Sequence, residues 1–288
     1  MPRPVTAGID GSAASLAAAA WAAREAELRD TALHLVAAWP PPDGASPETA
    51  DEAERRHFAA RSLDLARDRL RGRHPHLDIQ ARLLGLPPHV ALLASGLAAD
   101  LLVLGSRGLG GISALLLGST GVHTAALADF PVALVRPLPH PGDLPAGPVL
   151  LALDAEHPAQ EAVITLAFEE AAMREVPLRA LYAWTPTGPA LRTYPITSRP
   201  YGPSPRARHA ERRLTEVLMP WRQKFPEVRV EEVCLEDIPA GAVTAATRHA
   251  ALAVLGHRVQ PAAGPRLGPV AHATVRAAAC PVLLVPHA

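Results

Sequence analysis

Lysine is nearly missing from this chain of 288 residues: Lys224 is the only one. A Walker A loop and a protein-kinase site each place a lysine on the phosphates, so both are excluded. Aromatic residues make up only 4%, which leaves the core to Ala, Leu and Val. Net charge is absent as well, with 28 Lys+Arg against 28 Asp+Glu. Residues 1–140 hold 13 basic and 14 acidic side chains and the remainder 15 and 14. Neither part has the basic face or tail of a dedicated nucleic-acid binder. There is no apolar run of about 18 residues that would span a membrane. Met1-Pro-Arg-Pro4 leads straight into a strand-like segment, so no secretory leader is expected. These absences predict a cytoplasmic protein with no membrane partner. Cys234 and Cys280 lie in apolar, strand-like contexts and read as small buried hydrophobes. The 13 histidines are scattered, and the one close pair, His74 and His76, is split by a proline. No metal site is expected from them.

What remains is a globular composition, 49% hydrophobic and 19% charged, at about twice the usual domain length. The chain is a repeat. Val5–Asp10 resembles Val149–Asp154, Leu33–Trp39 resembles Leu178–Trp184, Leu101–Gly105 resembles Leu252–Gly256, and Phe130–Pro137 resembles Cys280–Pro286. The offsets are 144, 145, 151 and 150, changing only between these blocks, as in a duplicated domain. The Pro- and Gly-rich stretch around 141–148 is the natural linker between domains at 1–140 and 149–288.

Each half alternates short apolar runs with amphipathic stretches. In the first half the predicted strands are about 4–9, 32–38, 77–84, 101–105 and 131–135. Continuous apolar runs of this length suit parallel strands buried on both faces. Ala59, Leu63, Ala66 and Leu70 form one helical stripe, Val90, Leu93, Ala94 and Leu97 another, and Ala210, Leu214, Val217, Leu218 and Trp221 a third. These stripes are read as core. The alternation gives an open α/β sheet with right-handed crossovers. Both halves carry a Pro-rich insert after the second strand, at 40–47 and 186–205, read as surface loops, with a lid over a ligand or a partner contact as the alternative.

In such sheets ligands bind beyond the carboxyl ends of the strands, near the switch in strand order. Three segments of the first half converge there: Gly8-Ile9-Asp10-Gly11-Ser12 leaving strand one, Ala37-Ala38-Trp39 leaving strand two, and the segment that follows Leu104 and Gly105 of strand four. The last reads Gly105-Ser-Arg-Gly108, nine residues, then Gly118-Ser119. Glycines let a backbone approach phosphates and present successive N–H groups as an anion nest. Ser119 opens a predicted helix over 119–128, whose N-terminus favours negative charge. Arg107 supplies the cation that a missing lysine would have given, and Asp10 is placed to accept hydrogen bonds from a ribose hydroxyl or a base. A dinucleotide fingerprint is excluded, because Gly108-Leu-Gly110 lacks its third glycine and lies far from strand one.

The spacing G-x2-G-x9-G-[ST] after an apolar strand resembles the universal stress protein family, as does the opening Gly-Ile-Asp-Gly-Ser. The resemblance covers nearly the whole chain as two tandem copies. It implies in each copy an open five-stranded parallel α/β sheet with helices on both faces. This fold is Rossmann-like, of the adenine nucleotide alpha hydrolase type, with strand order 3-2-1-4-5. It implies ATP as ligand, with or without magnesium, and pairing of two such domains, here within one chain, with a homodimer as a further state. Carried over by position, Gly8, Ile9 and Asp10 hold the adenosine end, and Ala38 meets the adenine through its backbone. Leu104, Gly105, Arg107 and Gly108 wrap ribose and phosphate, while Gly118, Ser119 and Thr120 hold the phosphates. The next position, where many ATP-binding members have a hydroxyl, is Gly121.

The second copy departs from this pattern. Asp154 is kept, but Ala155 replaces Gly11, Val259 replaces Gly108, and Pro269 stands where Ser119 does. The intervening stretch is one residue shorter and contains Pro261 and Pro265, which donate no N–H. Each lost charge-assisted hydrogen bond costs about 1.5–3 kcal/mol, so losing two or three weakens binding on the order of 100-fold or more. One intact and one degenerate nucleotide site are therefore expected. The loop 109–117 contains no acidic residue to act as a base near a γ-phosphate. A non-enzymatic, nucleotide-dependent regulator of the stress response is the leading reading. A weak ATPase or nucleotidyl-transfer enzyme and a nucleotide-free dimerisation module are the alternatives. The arginine-over-lysine bias and Ala/Pro richness match a GC-rich bacterial genome.

Overall fold

Apolar runs too short for helices and too continuous for a half-exposed sheet become strands covered on both faces. The computed structural model describes residues 3–40, 49–106, 119–137, 146–156, 160–185, 204–258 and 266–287. The first compact unit contains β1 (Val5–Gly8), α1 (Ala13–Leu28), β2 (Leu33–Ala38), α2 (Ala50–Arg73), β3 (Ile79–Leu84), α3 (Pro88–Gly96), β4 (Leu101–Gly105), α4 (Ser119–Leu127) and β5 (Val132–Val135). Its strands lie side by side in the order β3-β2-β1-β4-β5, and the registered pairs are parallel, Val5 facing Leu33 and Leu101, and Leu102 facing Val132. Val5, Ala7, Leu33, Leu35, Leu102, Val103, Val132 and Ala133 are fully buried or nearly so.

The second unit repeats the plan with β6 (Val149–Ala152), α5 (Glu161–Met173), β7 (Leu178–Trp184), α6 (Pro205–Lys224), β8 (Val230–Glu236), α7 (Pro239–Ala246), β9 (Leu252–Arg258) and α8 (Pro269–Ala277), before β10 (Val282–His287). Strands β9, β6, β7 and β8 are neighbours in that order, paired in parallel. At the entry to β10 the Ala253 N–H donates to the Pro281 carbonyl at 3.0 Å, as the Leu102 N–H donates to the Pro131 carbonyl at 3.1 Å in the first unit. Among the described residues no helix is long and apolar enough to cross a membrane.

Local chemistry sets the helix ends. The Ser12 hydroxyl caps α1 by accepting the Ser15 N–H at 3.2 Å. A reciprocal capping box opens α2: the Thr49 hydroxyl accepts the Glu52 N–H at 3.3 Å, and the Glu52 carboxylate accepts the Thr49 N–H at 2.7 Å. The duplication reaches fine detail. In α1 the buried Glu25 pairs with Arg29, and in α5 the buried Glu170 pairs with Arg174. Each arginine caps its helix, and the residue after it turns left-handed, Asp30 at φ 50° and Glu175 at φ 53°.

The last residue of β4 shapes the carboxyl edge of the first sheet. A Cβ on Gly105 would lie 2.5 Å from the Ala14 carbonyl carbon, 2.6 Å from the Ser15 nitrogen and 2.7 Å from the Ala14 oxygen. The first turn of α1 therefore packs backbone-to-backbone on β4. Gly105→Ala forces these apart and is expected to lower stability by about 1–3 kcal/mol. Gly121→Ala, whose nearest contact would be the Gly105 oxygen at 3.4 Å, is expected to be neutral or slightly stabilising. Urea unfolding of the two variants checks this; a Gly105→Ala protein as stable as the parent contradicts it.

Candidate functional site

Beyond the carboxyl ends of β1, β2 and β4 the first unit opens into a cavity of about 860 Å³. Strand β1 delivers Gly8, Ile9 and Asp10; β2 delivers Val36, Ala38 and then Trp39; β4 delivers Leu104 and Gly105. The first turn of α4 adds Thr120 and Gly121, and the start of α1 adds Ser12, Ala14 and Ser15. Seven of the residues singled out from the sequence thus share one cavity: Gly8, Ile9, Asp10, Ala38, Leu104, Gly105 and Thr120. Ser119 is the first residue of α4. Arg107, Gly108 and Gly118 lie outside the described residues, as does the loop 109–117.

The turn that carries Asp10 is held by its own hydrogen bonds. The Asp10 carboxylate accepts the Ser12 N–H at 2.9 Å, the Asp10 N–H donates to the Ser15 hydroxyl oxygen at 3.3 Å, and that hydroxyl donates to the Ser12 carbonyl at 3.0 Å. Gly11 makes the turn at φ +78°, a conformation natural to glycine. Ile9 stays in the sheet, donating to the Val36 carbonyl at 2.8 Å, and Trp39 donates to the Leu84 carbonyl at 2.9 Å. The carboxylate thus sits exposed on a braced turn, aimed by the backbone. At the far side of the sheet edge α4 points its amino end toward the cavity, and its first turn holds no acidic residue. Such an end carries partial positive charge and N–H groups that have no partner within the helix itself.

Helix α2 is the part of the site that the sequence motif did not signal. Asp51, Glu54, Arg55, Phe58 and Ala59 all line the cavity, and α3 adds Pro88 and Leu92. The stripe Ala59, Leu63, Ala66, Leu70 reads as core, and its burial holds from Leu63 onward. The stripe Val90, Leu93, Ala94, Leu97, also read as core, is not: none of the four is buried, and α3 instead turns Ala91, Leu92 and Gly96 inward. The signal available was the change in that same stripe toward the helix start, where its apolar residues give way to Asp51, Glu54 and Arg55.

In the second unit the corresponding turn keeps its aspartate. The Asp154 carboxylate accepts the Glu156 N–H at 3.1 Å, and the Gln160 amide takes the bracing role of Ser15, bonding the Asp154 N–H and carbonyl at 3.4 and 3.0 Å. Ala155 does not adopt the positive φ of Gly11. Helix α8 begins with Pro269, capped by Gly268 without a side-chain hydrogen bond, so it lacks the first N–H that α4 offers. Burial and the carboxylates of Asp154 and Glu156 raise the Tyr182 phenol above its ordinary range. His257, which follows Gly256 as Ser106 follows Gly105, is 2% exposed, and among the described residues neither of its ring nitrogens has a hydrogen-bond partner. The ring of His287 lies against Gly256, 2.7 Å from where a Cβ would stand. Val259 is outside the described residues, as is the stretch 260–265.

A family model described as the universal stress protein family matches residues 1–136 and again residues 146–286. The chain is similar to universal stress proteins of Mycobacterium bovis and Mycobacterium tuberculosis, each 32% identical over 299 residues that cover 97% of this chain and 96% of the relative. One from Mycolicibacterium smegmatis is 32% identical over 297 residues, covering 98% of this chain and 96% of the relative. Among solved structures, a universal stress protein of Archaeoglobus fulgidus is 13% identical, covers 99% of this chain and 96% of its own, and has a TM-score of 0.71, a likeness of fold.

Burial, with the neighbouring His287 second, pushes the His257 imidazole down from 6.5 to about 4. Its neutral form is the one the fold accommodates. A base with a depressed folded pKa gives stability that is present above pH 6.5 and drains away as pH falls toward 4. The loss is on the order of 3 kcal/mol. His257→Leu is expected to flatten the dependence of unfolding free energy on pH across this window; an unchanged slope contradicts the assignment.

Proposed function

The chain belongs to the universal stress protein family, and from that premise we propose that its first unit binds an adenine nucleotide, with ATP as the ligand of a non-enzymatic regulator in the stress response. The observation that carries the reading is the single cavity into which Asp10, Ala38, Gly105 and the amino end of α4 all open. Its volume of about 860 Å³ falls in the range of small-molecule sites. In this reading the phosphates lie at the start of α4, where Thr120 and the helix N–H groups meet them, and Gly105 lets the chain pass close by. Asp10, braced by Ser12 and Ser15, accepts from ribose hydroxyls, and the backbone at Ala38 meets the base. Gly108, Gly118 and Arg107 complete the phosphate nest. Magnesium, if carried, comes with the triphosphate.

The regulatory reading is preferred to catalysis because the first turn of α4, where a γ-phosphate would sit, holds no acidic residue, and the sequence of the loop before it, 109–117, has none. The asymmetry between copies rests on Pro269 at the start of α8 in place of Ser119. The protein is taken to act in the cytoplasm, its two domains pairing within the chain. Equilibrium dialysis with labelled ATP tests the reading. One nucleotide bound per chain, recovered intact after hours, is the expected result. Two equivalent sites contradict the asymmetry, absence of binding contradicts the nucleotide site, and steady turnover contradicts the non-enzymatic role.

A further inference from the structure

Helix α2 spends only half its length on the core. Its buried residues, Ser62, Leu63, Ala66 and Leu70, all lie in the second half, whereas none of residues 49–61 is buried. The same face continues toward the helix start as Asp51, Glu54, Arg55, Phe58 and Ala59, spaced i, i+3, i+4, i+7 and i+8, and all five line the cavity. A face that elsewhere packs on strands here faces open space. Phe58 stands at the centre of this face, 61% exposed, with its ring 3.1 Å from where a Cβ on Gly11 would lie, beside the Asp10 turn.

Position along the sheet edge fixes which end of a ligand meets this wall. Helix α2 packs on β2 and β3. The strand order then runs through β1, with Asp10, to β4, with Gly105. Phosphates favour the amino end of α4 on the β4 side. On the α2 side Asp51 and Glu54 stand with Arg55 in the lining, and Arg56 lies over the ring of Trp39, so this side offers phosphate no net positive charge. A nucleotide laid along this edge points its base under α2. Bases stack on aromatic rings regardless of sequence identity, and Phe58 presents such a ring at that end.

Resting on the nucleotide reading of this cavity, we propose that the amino-terminal half of α2 is the base-binding wall of the site, with Phe58 as the stacking contact. The contact gives ligand occupancy a direct mechanical link to an exposed helix face. Calorimetric titration of ATP and AMP into the full chain, its Phe58→Ala variant and its Phe58→Tyr variant tests it. Phe58→Ala is expected to weaken both nucleotides by the same factor, about 10-fold, within the range of one lost base stack. Phe58→Tyr, which keeps the ring, is expected to restore affinity to within about threefold. Because the ring is mostly exposed, the thermal midpoint of the ligand-free variants stays at the parent value. If the parent binds ATP and Phe58→Ala binds it equally well, the wall is wrong while the site stands. A loss for ATP but not AMP, or no rescue by Phe58→Tyr, also overturns it. If the parent binds neither nucleotide, both readings fall.

Discussion

The candidate site exists because β4 ends without a side chain. At Gly105 the strand backbone meets the first turn of α1 at distances that exclude even a methyl group. That contact draws the amino end of α1, and with it the Asp10–Ser15 turn, up against the end of β4. The carboxyl edge of the sheet is thereby left concave, with α2, α3 and α4 around it. The physical role of Gly105 is thus double. Nest chemistry asks for a glycine where backbone approaches phosphate, and packing asks for one where backbone approaches backbone. Only the second demand is visible in the atomic distances, and it stands independently of any ligand.

Much of this was legible in the sequence because parallel strands buried on both faces leave a simple trace. The runs at 32–38 and 101–105 became β2 and β4 with boundaries moved by at most one residue. The duplication was legible for a related reason: segments bearing the same structural load drift slowly. It extends to features that no apolar pattern reports, such as the Glu25–Arg29 and Glu170–Arg174 pairs and the left-handed residues after them. Illegible were the contributions of α2 and α3 to the cavity. Asp51, Glu54 and Arg55 look like any solvated helix face, because a sequence does not tell water from an enclosed ligand site. Phe58 likewise reads as one more apolar residue beside a core stripe.

The two copies differ at their rims and agree in their frames. Buried ion pairs, the arginine caps that end α1 and α5 and the strand registers recur, while residues at the carboxyl ends have changed character. Gly11 becomes Ala155, Ser106 becomes the buried His257, and Ser119 becomes Pro269. Proline at the first helical position is sterically welcome, so the second copy lost a donor without strain in the helix. His257 is a different case. Two buried ring nitrogens without a partner among the described residues are costly, and depressed basicity is how the imidazole adapts.

The central claim is that backbone and side-chain groups at the carboxyl rim of β1, β2 and β4 hold an adenine nucleotide in the first unit alone. Crystals grown with excess ATP test it most directly. The account predicts one nucleotide per chain, with its phosphates at the start of α4 and its ribose at Asp10. Nucleotide density at the rim of β6, β7 and β9, or none at either rim under saturating ATP, would contradict it.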